Sequence, residues 1–184
     1  TERVIYNSNA GYSAATNNRL SAAKGEYVGI VKSDDCILSE TYETLYETAD
    51  FKQFWSTERS RKFEFVALSK KKARYNTSPY LLSDIAYYEQ KVNQPGIYRK
   101  AFLSEYDIRF NEPPSAAYQE NGFRLQLFAY ASTTYFVDAA LHFIRLDNPN
   151  SPVKNQGQVY TIRLEYDHIE TVSYTHLTLP TNSL

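Results

Sequence analysis

The chain has 184 residues, with twenty basic and twenty-one acidic side chains and a formal net charge of −1. Hydrophobic residues make up 42% and charged residues 22%, so the composition indicates a folded chain with one core and excludes the disordered, collagen-like and coiled-coil classes. Because the charges balance, the chain has no broad positive field for a nucleic-acid backbone, and we expect no nucleic-acid partner.

Targeting features are absent from the sequence. No apolar run approaches the ~18 residues that would predict a transmembrane segment. The only cysteine, Cys36, cannot form an intramolecular disulfide and is interpreted as a small buried residue. These features predict a cytoplasmic location. The chain begins at Thr1 and contains no methionine, so we expect an internal piece of a longer protein.

The first thirty residues alternate between strand and helix patterns. Residues 3–6 predict a short strand, and residues 12–24 predict a helix of small residues that Gly25 ends. Residues 27–31 form a nearly continuous apolar run, which is typical of a strand buried on both faces of a mostly parallel sheet.

A second helix is predicted after this strand. Ser39 is suited to cap its first turn. Helical spacing gives it one buried stripe, formed by Tyr42, Leu45, Tyr46 and Ala49. The resulting order of strand, helix, strand and helix favours an α/β fold.

The pattern weakens over residues 50–93, where 63–68 predicts a strand and 79–92 a partly helical segment. Beyond it, residues 97–106 predict a strand end and a short helix, and residues 119–131 a helix. Strands at 134–137 and 142–146 follow. A final helix within 153–171 is predicted to pack on the domain through a seam of Val159, Ile162, Tyr166 and Ile169.

Glu120 stands at the start of the predicted 119–131 helix. It shares a face with Phe123 and Leu127, so we expect it to point inward or toward a cleft. Its position in the first turn also suits the helix dipole, and a purely structural role as a helix-capping glutamate remains an alternative.

An acid pair follows the strand at 27–31. Ligands of parallel sheets gather at the carboxyl ends of strands, which is where Asp34 and Asp35 stand. Carboxylate oxygens in this position are able to bind Mg²⁺ or Mn²⁺ and a diphosphate. The alternative is an ordinary solvated turn, and the residues alone leave both interpretations open.

Several strings resemble the family 2 glycosyltransferases of the GT-A fold in order and spacing. In the first half these are NAGYSAATN at 9–17, AKGEYV at 23–28 and SDD at 33–35. In the second half they are IYRKAFL at 97–103, IRFNE at 108–112, YQENGF at 118–123, YFV at 135–137 and DNPNS at 147–151. The resemblance covers residues 3 to 170 and is weakest at 50–93.

The resemblance implies an α/β fold of the GT-A type, a mixed sheet flanked by helices, incomplete at its N-terminus. Residues 1–152 would form the partial domain and 153–171 a helix packed on it. The implied function is inverting transfer of a hexose from a nucleotide-sugar donor to the hydroxyl of a glycan or lipid-linked glycan acceptor, in bacterial surface polysaccharide synthesis. Peripheral association with the inner face of the membrane is compatible with this function.

The resemblance also implies roles for single residues. Glu120 would be the catalytic acid that takes the acceptor's proton. Asn9, Gly11, Asn17, Asp34 and Asp35 would bind the nucleotide sugar, and Asp34 would also bind the metal. Asn9 and Asn17 have helix capping as an alternative role, and Gly11 has a tight turn.

Some positions depart from the family pattern. Lys32 stands where the family has the first aspartate of its metal motif, and Gln119-Glu120 replaces Glu-Asp. A lysine ammonium would either repel Mg²⁺ or Mn²⁺ or neutralise part of the leaving diphosphate, and the sequence leaves both open. Lys32 also motivates an alternative function, a non-catalytic paralogue that binds glycan or a partner. Because the family's first strands are missing, we expect the piece to be inactive alone.

The last thirteen residues, 172–184, resemble the in-frame translation of a transposon mosaic end joined to a sequencing adapter. We interpret them as an artefact that carries no biology. On that interpretation the natural protein continues past Thr171 with other residues.

Overall fold

The computed structural model describes residues 11–49, 65–69, 74–76, 96–112, 118–131, 134–145, 147–148 and 159–174. The strand predicted at 3–6 and the helical segment predicted at 79–92 lie outside the described residues. The same is true of Asn9.

The described residues form five helices and seven strands. The helices are α1 (Gly11–Ala22), α2 (Thr41–Ala49), α3 (Lys100–Glu105), α4 (Glu120–Tyr130) and α5 (Val159–Ser173). The strands are β1 (Tyr27–Gly29), β2 (Cys36–Ile37), β3 (Phe65–Ser69), β4 (Arg74–Asn76), β5 (Gly96–Arg99), β6 (Thr134–Asp138) and β7 (His142–Phe143).

The larger sheet is mixed, with strand order β1-β5-β3-β6-β4, and β2 pairs with β7 in a separate two-stranded sheet. Among the described strands, β3 and β6 form the parallel pair, and the other pairings are antiparallel. The predicted mixed α/β sheet is confirmed, but the mostly parallel environment predicted for residues 27–31 is wrong. Strand β1 pairs antiparallel with β5 and is an edge of the described sheet. Its Gly29 is exposed.

The chain divides into two compact units, whereas the sequence predicts one core. The first unit comprises residues 1–24, 108–126 and 149–184, and the second comprises 25–107 and 127–148. Each of them is assembled from segments far apart in sequence, which hydrophobic periodicity within a short window does not detect.

The core of the second unit forms where α2 covers the sheet. Leu45 and Ala49 are buried against Val66 and Ile97, at 1%, 0%, 0% and 4% exposure. Thr41 completes the buried face of α2, and its hydroxyl donates to the backbone oxygen of Leu141 at 2.9 Å. The buried face is therefore Thr41, Leu45 and Ala49, spaced four residues apart.

The two tyrosines predicted for that stripe are exposed, so this part of the prediction is wrong. Tyr42 is 41% and Tyr46 is 47% exposed. Tyr42 lies against Gly29, where a Cβ would collide with its ring, and Tyr46 packs edge-to-face on Tyr27. Partial desolvation of Tyr42 raises the pKa of its hydroxyl.

Two further expectations in the second unit are also wrong. Ser39 does not cap α2 in the predicted way, because its hydroxyl donates to the Glu40 carboxylate at 3.0 Å. Cys36 is exposed rather than buried, since it lies on the short two-stranded sheet opposite Phe143.

The first unit packs around Phe110. Its ring stacks on Phe123 at a centroid distance of 4.3 Å and meets Tyr12 edge-to-face at 6.0 Å. On α5 the predicted seam is wrong at Tyr166, which is 59% exposed, whereas Glu165 is 1% exposed. The hydrophobic pattern predicts an apolar seam on α5, but among the α5 side chains that the structure describes the most deeply buried is that of Glu165.

None of the described helices combines the length and the apolar character needed to cross a membrane.

Candidate functional site

The acid pair lies in a turn between β1 and β2, in the second unit. The Asp35 N–H donates to the Lys32 backbone oxygen at 3.1 Å and closes this turn. Asn148 Nδ2 donates to Asp34 Oδ2 at 2.9 Å. That hydrogen bond is the main cause that lowers the pKa of Asp34; partial desolvation opposes it, and the positive charges of Lys32 and Arg145 add to it. Asp34 is therefore a carboxylate at neutral pH.

Asp35 has a different environment from its neighbour. Its Oδ1 accepts the Arg145 backbone N–H at 3.1 Å, and its Oδ2 lies 3.2 Å from His142 Nε2. The side chains of Asp35 and His142 are each 7% exposed. Asp35 thus fastens the turn to the segment that follows β7, which leaves Asp34 as the more accessible acid. A direct role for Asp35 in donor binding stays a prediction.

Two predicted donor-binding residues lie on α1, in the first unit. Gly11 begins the helix with φ of +88°, a conformation that favours glycine, so its role as a tight-turn residue is supported. Asn17 is 6% exposed, and its amide donates to the Phe110 backbone oxygen at 2.9 Å and to Glu112 Oε1 at 2.7 Å. Its Oδ1 accepts the Phe110 N–H at 3.0 Å. Asn17 therefore clamps residues 108–112 to α1, and its nucleotide contact stays a prediction.

Glu120 is the first residue of α4 and its side chain is half-buried. The chain enters this helix through Tyr118, whose φ is +66°. Phe123, which shares its predicted face, is 3% exposed. Glu120 belongs to the first unit and Asp34 to the second. The pairing of these two acids in one site stays a prediction.

The comparisons with known proteins point to one class of enzyme. No protein-family model matches the chain. It is 27% identical over 160 residues to the uncharacterized glycosyltransferase EpsJ of Bacillus subtilis (strain 168), an alignment that covers 81% of this chain and 46% of EpsJ. The chain thus spans less than half of the curated relative it matches.

Crystal structures of Staphylococcus aureus TarS have a similar fold. TarS residues 1–349 in complex with UDP-GlcNAc match with a TM-score of 0.57 at 22% identity, over 73% of this chain and 39% of that one. A longer TarS structure matches with a TM-score of 0.58 at 22% identity, over 77% of this chain and 25% of that one. The chain has the GT-A fold and is similar in sequence to part of a glycosyltransferase.

The described residues hold no ready-made site for a divalent cation. Among them no group of three or more histidine, cysteine, aspartate or glutamate side chains is placed to hold a metal ion. Both oxygens of Asp35 already have partners, and Asp34 has Lys32 and Arg145 as neighbouring positive charges. The predicted metal role of Asp34 therefore has no supporting ligand set in the described part of the chain.

The hydrophobic pattern of the sequence did not reveal a buried polar group in the first unit. Glu165 Oε1 accepts the Gly122 N–H at 2.7 Å, and Glu165 Oε2 accepts from Asn111 Nδ2 at 3.2 Å. Burial raises the pKa of Glu165, the two hydrogen bonds oppose this shift, and the charge of Glu120 adds to it. One signal was available in the sequence. Gly122 lies inside a helix, where glycine is unfavourable unless a neighbour needs the space.

Proposed function

We propose that the protein is an inverting glycosyltransferase of family 2 that transfers a hexose from a nucleotide sugar to the hydroxyl of a glycan or lipid-linked glycan, in surface polysaccharide synthesis at the cytoplasmic face of the membrane. The observation that carries the proposal is the position of Asp34 in the turn after β1 of a GT-A fold, where it accepts a hydrogen bond from Asn148 at 2.9 Å. The name of EpsJ and the UDP-GlcNAc bound to TarS support a nucleotide-sugar donor, and a UDP-sugar is the first choice.

The turn between β1 and β2 is proposed to bind the donor. One oxygen of the Asp34 carboxylate accepts a hydrogen bond from Asn148. The carboxylate is proposed to accept further hydrogen bonds from sugar or ribose hydroxyls. Lys32 and Arg145 supply positive charge near Asp34, and the Arg145 guanidinium is also paired with the Asp147 carboxylate at 2.8 Å. Because the negative charge on the leaving diphosphate grows during transfer, nearby cations stabilise the transition state more than the bound donor.

Glu120 is proposed to act on the acceptor. As the acceptor oxygen attacks the anomeric carbon, a new carbon–oxygen bond forms and the bond to the diphosphate oxygen breaks on the opposite side. The hydroxyl proton moves to the Glu120 carboxylate, and the bonding electrons leave with the diphosphate. A position in the first turn of α4 favours the charged carboxylate that this step requires.

A transfer assay on the full protein tests the proposal, with a panel of UDP-, GDP- and dTDP-linked hexoses as donors and isolated lipid-linked glycan as acceptor. We expect Asp34→Ala and Glu120→Gln each to lower the transfer rate at least about a hundredfold. Glu47→Ala in α2 and Glu170→Gln in α5 remove exposed carboxylates and serve as matched controls. Wild-type transfer by both site variants would contradict the catalytic assignments. Donor binding without any transfer by the wild-type protein would favour the non-catalytic, glycan-binding paralogue.

A further inference from the structure

One backbone N–H in the first turn of α4 donates its hydrogen bond to a side chain of another helix, α5. A helix leaves its first N–H groups without intrahelical partners, and a serine, threonine, aspartate or asparagine before the first residue normally satisfies one of them. Here the preceding residue is Gln119, which is not one of these types. The N–H of Gly122, the third residue of α4, is satisfied instead by Glu165 Oε1 at 2.7 Å.

The contact between Gly122 and Glu165 is close and leaves no spare volume. A Cβ built on Gly122 would lie 2.6 Å from Glu165 Oε1 and 3.0 Å from His168 Cδ2. Glu165 is 1% exposed, so its carboxylate has no route to water as an alternative partner. The Glu165 carboxylate therefore fits only because residue 122 has no Cβ, and the Gly122 N–H has Glu165 as its hydrogen-bond acceptor.

The other end of the carboxylate is fixed as well. Asn111 Nδ2 donates to Glu165 Oε2 at 3.2 Å, so Glu165 ties the segment after Phe110 to the start of α4. Gln126, further along α4, holds the same segment by donating to the Arg109 backbone oxygen at 2.9 Å and accepting the Arg109 N–H at 3.2 Å. These bonds fix α4 at its first and second turns.

We propose that Glu165 is a positioning residue for Glu120: it caps the first turn of α4 from outside the helix and thereby fixes the place of the Glu120 carboxylate. The inference rests on the proposed role of Glu120 as the acid that takes the acceptor's proton. It assigns a functional task to α5, which follows the core of the domain in sequence and carries none of the motifs on which the resemblance rests.

Two variants of Glu165 separate positioning from bulk packing. Glu165→Ala removes the acceptor for the Gly122 N–H, whereas Glu165→Gln keeps the side-chain length and one acceptor oxygen. Asn111 is able to turn its own amide oxygen toward the new NH₂ group. Glu170→Ala, an exposed carboxylate on the same helix, is the matched control.

The experiment measures amide hydrogen exchange and transfer kinetics on the full protein, with whichever nucleotide hexose of the panel the wild type turns over. For Glu165→Ala we expect the Gly122 amide to exchange at least about tenfold faster, and kcat to fall at least about tenfold while the donor KM stays within about twofold. Glu165→Gln is expected to recover most of both losses, and Glu170→Ala to match the wild type.

Two results would overturn the inference, and a third would overturn the proposed function on which it rests. An unchanged Gly122 exchange rate in Glu165→Ala would show that Glu165 does not hold the turn. Faster exchange with an unchanged kcat would show that the turn does not position the reacting group. A Glu120→Gln variant with wild-type kcat would instead contradict the proposed function, whatever the Glu165 variants do.

Discussion

The acid pair in the second unit and the buried acid in the first unit are opposite solutions to placing a carboxylate. Asp34 is partly exposed and its pKa is lowered, chiefly by the hydrogen bond from Asn148. Glu165 is almost fully buried and its pKa is raised by that burial, although two hydrogen bonds oppose the shift. The Asp34 carboxylate is accessible to a ligand, whereas both oxygens of the Glu165 carboxylate accept hydrogen bonds from within the protein.

The comparison also separates two adjacent residues in the second unit. Asp35 resembles Glu165 more than it resembles Asp34, because its oxygens are occupied by His142 and the Arg145 N–H and its side chain is 7% exposed. Exposure and occupied hydrogen-bonding capacity therefore distinguish a structural carboxylate from a candidate ligand-binding one, where residue type does not.

Among the buried polar groups, the largest loss of stability is expected on substitution of Asn17. Asn17→Ala leaves the buried N–H and oxygen of Phe110 without partners, so we expect the free energy of unfolding to fall by about 3 kcal/mol. Urea denaturation measures this change. The adjacent Asn18→Ala removes an exposed amide from the same helix and should lie within about 0.5 kcal/mol of the wild type.

Gly122 provides a prediction whose sign depends on Glu165. Gly122→Ala improves helix propensity by about 1 kcal/mol but displaces a buried carboxylate oxygen, so we expect a net destabilisation of about 1 kcal/mol. In a Glu165→Ala background the same change should stabilise the protein. A double-mutant cycle by chemical denaturation checks this reversal, and additive effects would contradict the close contact between the two residues.

Substitution of the two adjacent aspartates should lower the free energy of unfolding by different amounts. Asp35→Ala removes the partner of His142 and of the Arg145 N–H, and we expect it to cost about 1–2 kcal/mol in the free energy of unfolding. Asp34→Ala should cost less than about 0.5 kcal/mol, because hydrogen bonds and charge pairs at accessible sites contribute little. Equal losses in thermal or urea denaturation would show that the two acids are not distinguished by their surroundings.

The smallest effect concerns pH and the helix that carries Glu165. Burial lowers the pKa of His168 below its ordinary value of 6.5, so the unfolded chain takes up a proton before the folded chain does as the pH falls through 6.5. The free energy of unfolding should therefore decrease over this window and level off below the folded-state pKa. His168→Gln should remove this part of the pH dependence, measured by denaturation at pH 7.5 and in steps below 6.5.

The sequence predicted the elements more reliably than their burial. Helices α1 and α4, strands β1, β3 and β6 and the pair β5 and α3 lie where the patterns indicate, because each carries its own turn residues and periodicity. The burial of Thr41 and Glu165 was missed, because hydrophobic patterns assign polar residues to the outside. The edge position of β1 depends on pairing with β5, about seventy residues away, and short-range patterns carry no information about that pairing.

For the candidate site, the sequence predicted which residues to consider but not the contacts that they make. Asp34 was predicted as a site residue from its place after a strand and from the resemblance, and its donor-binding role stays a prediction. The structural tasks of Asn17 and Asp35 were not predicted, because both use partners more than ninety residues away in the chain, such as Phe110 for Asn17 and Arg145 for Asp35. Local sequence does not specify such partners.

The most direct test of the central claim measures donor binding and sugar transfer on the same variants of the full protein. If Asp34 holds the donor and Glu120 acts on the acceptor, calorimetric titration with the active nucleotide hexose should show at least about tenfold weaker binding for Asp34→Ala. Glu120→Gln should bind the donor as the wild type does and lose transfer. Unchanged donor binding by Asp34→Ala, or intact transfer by Glu120→Gln, would contradict the account.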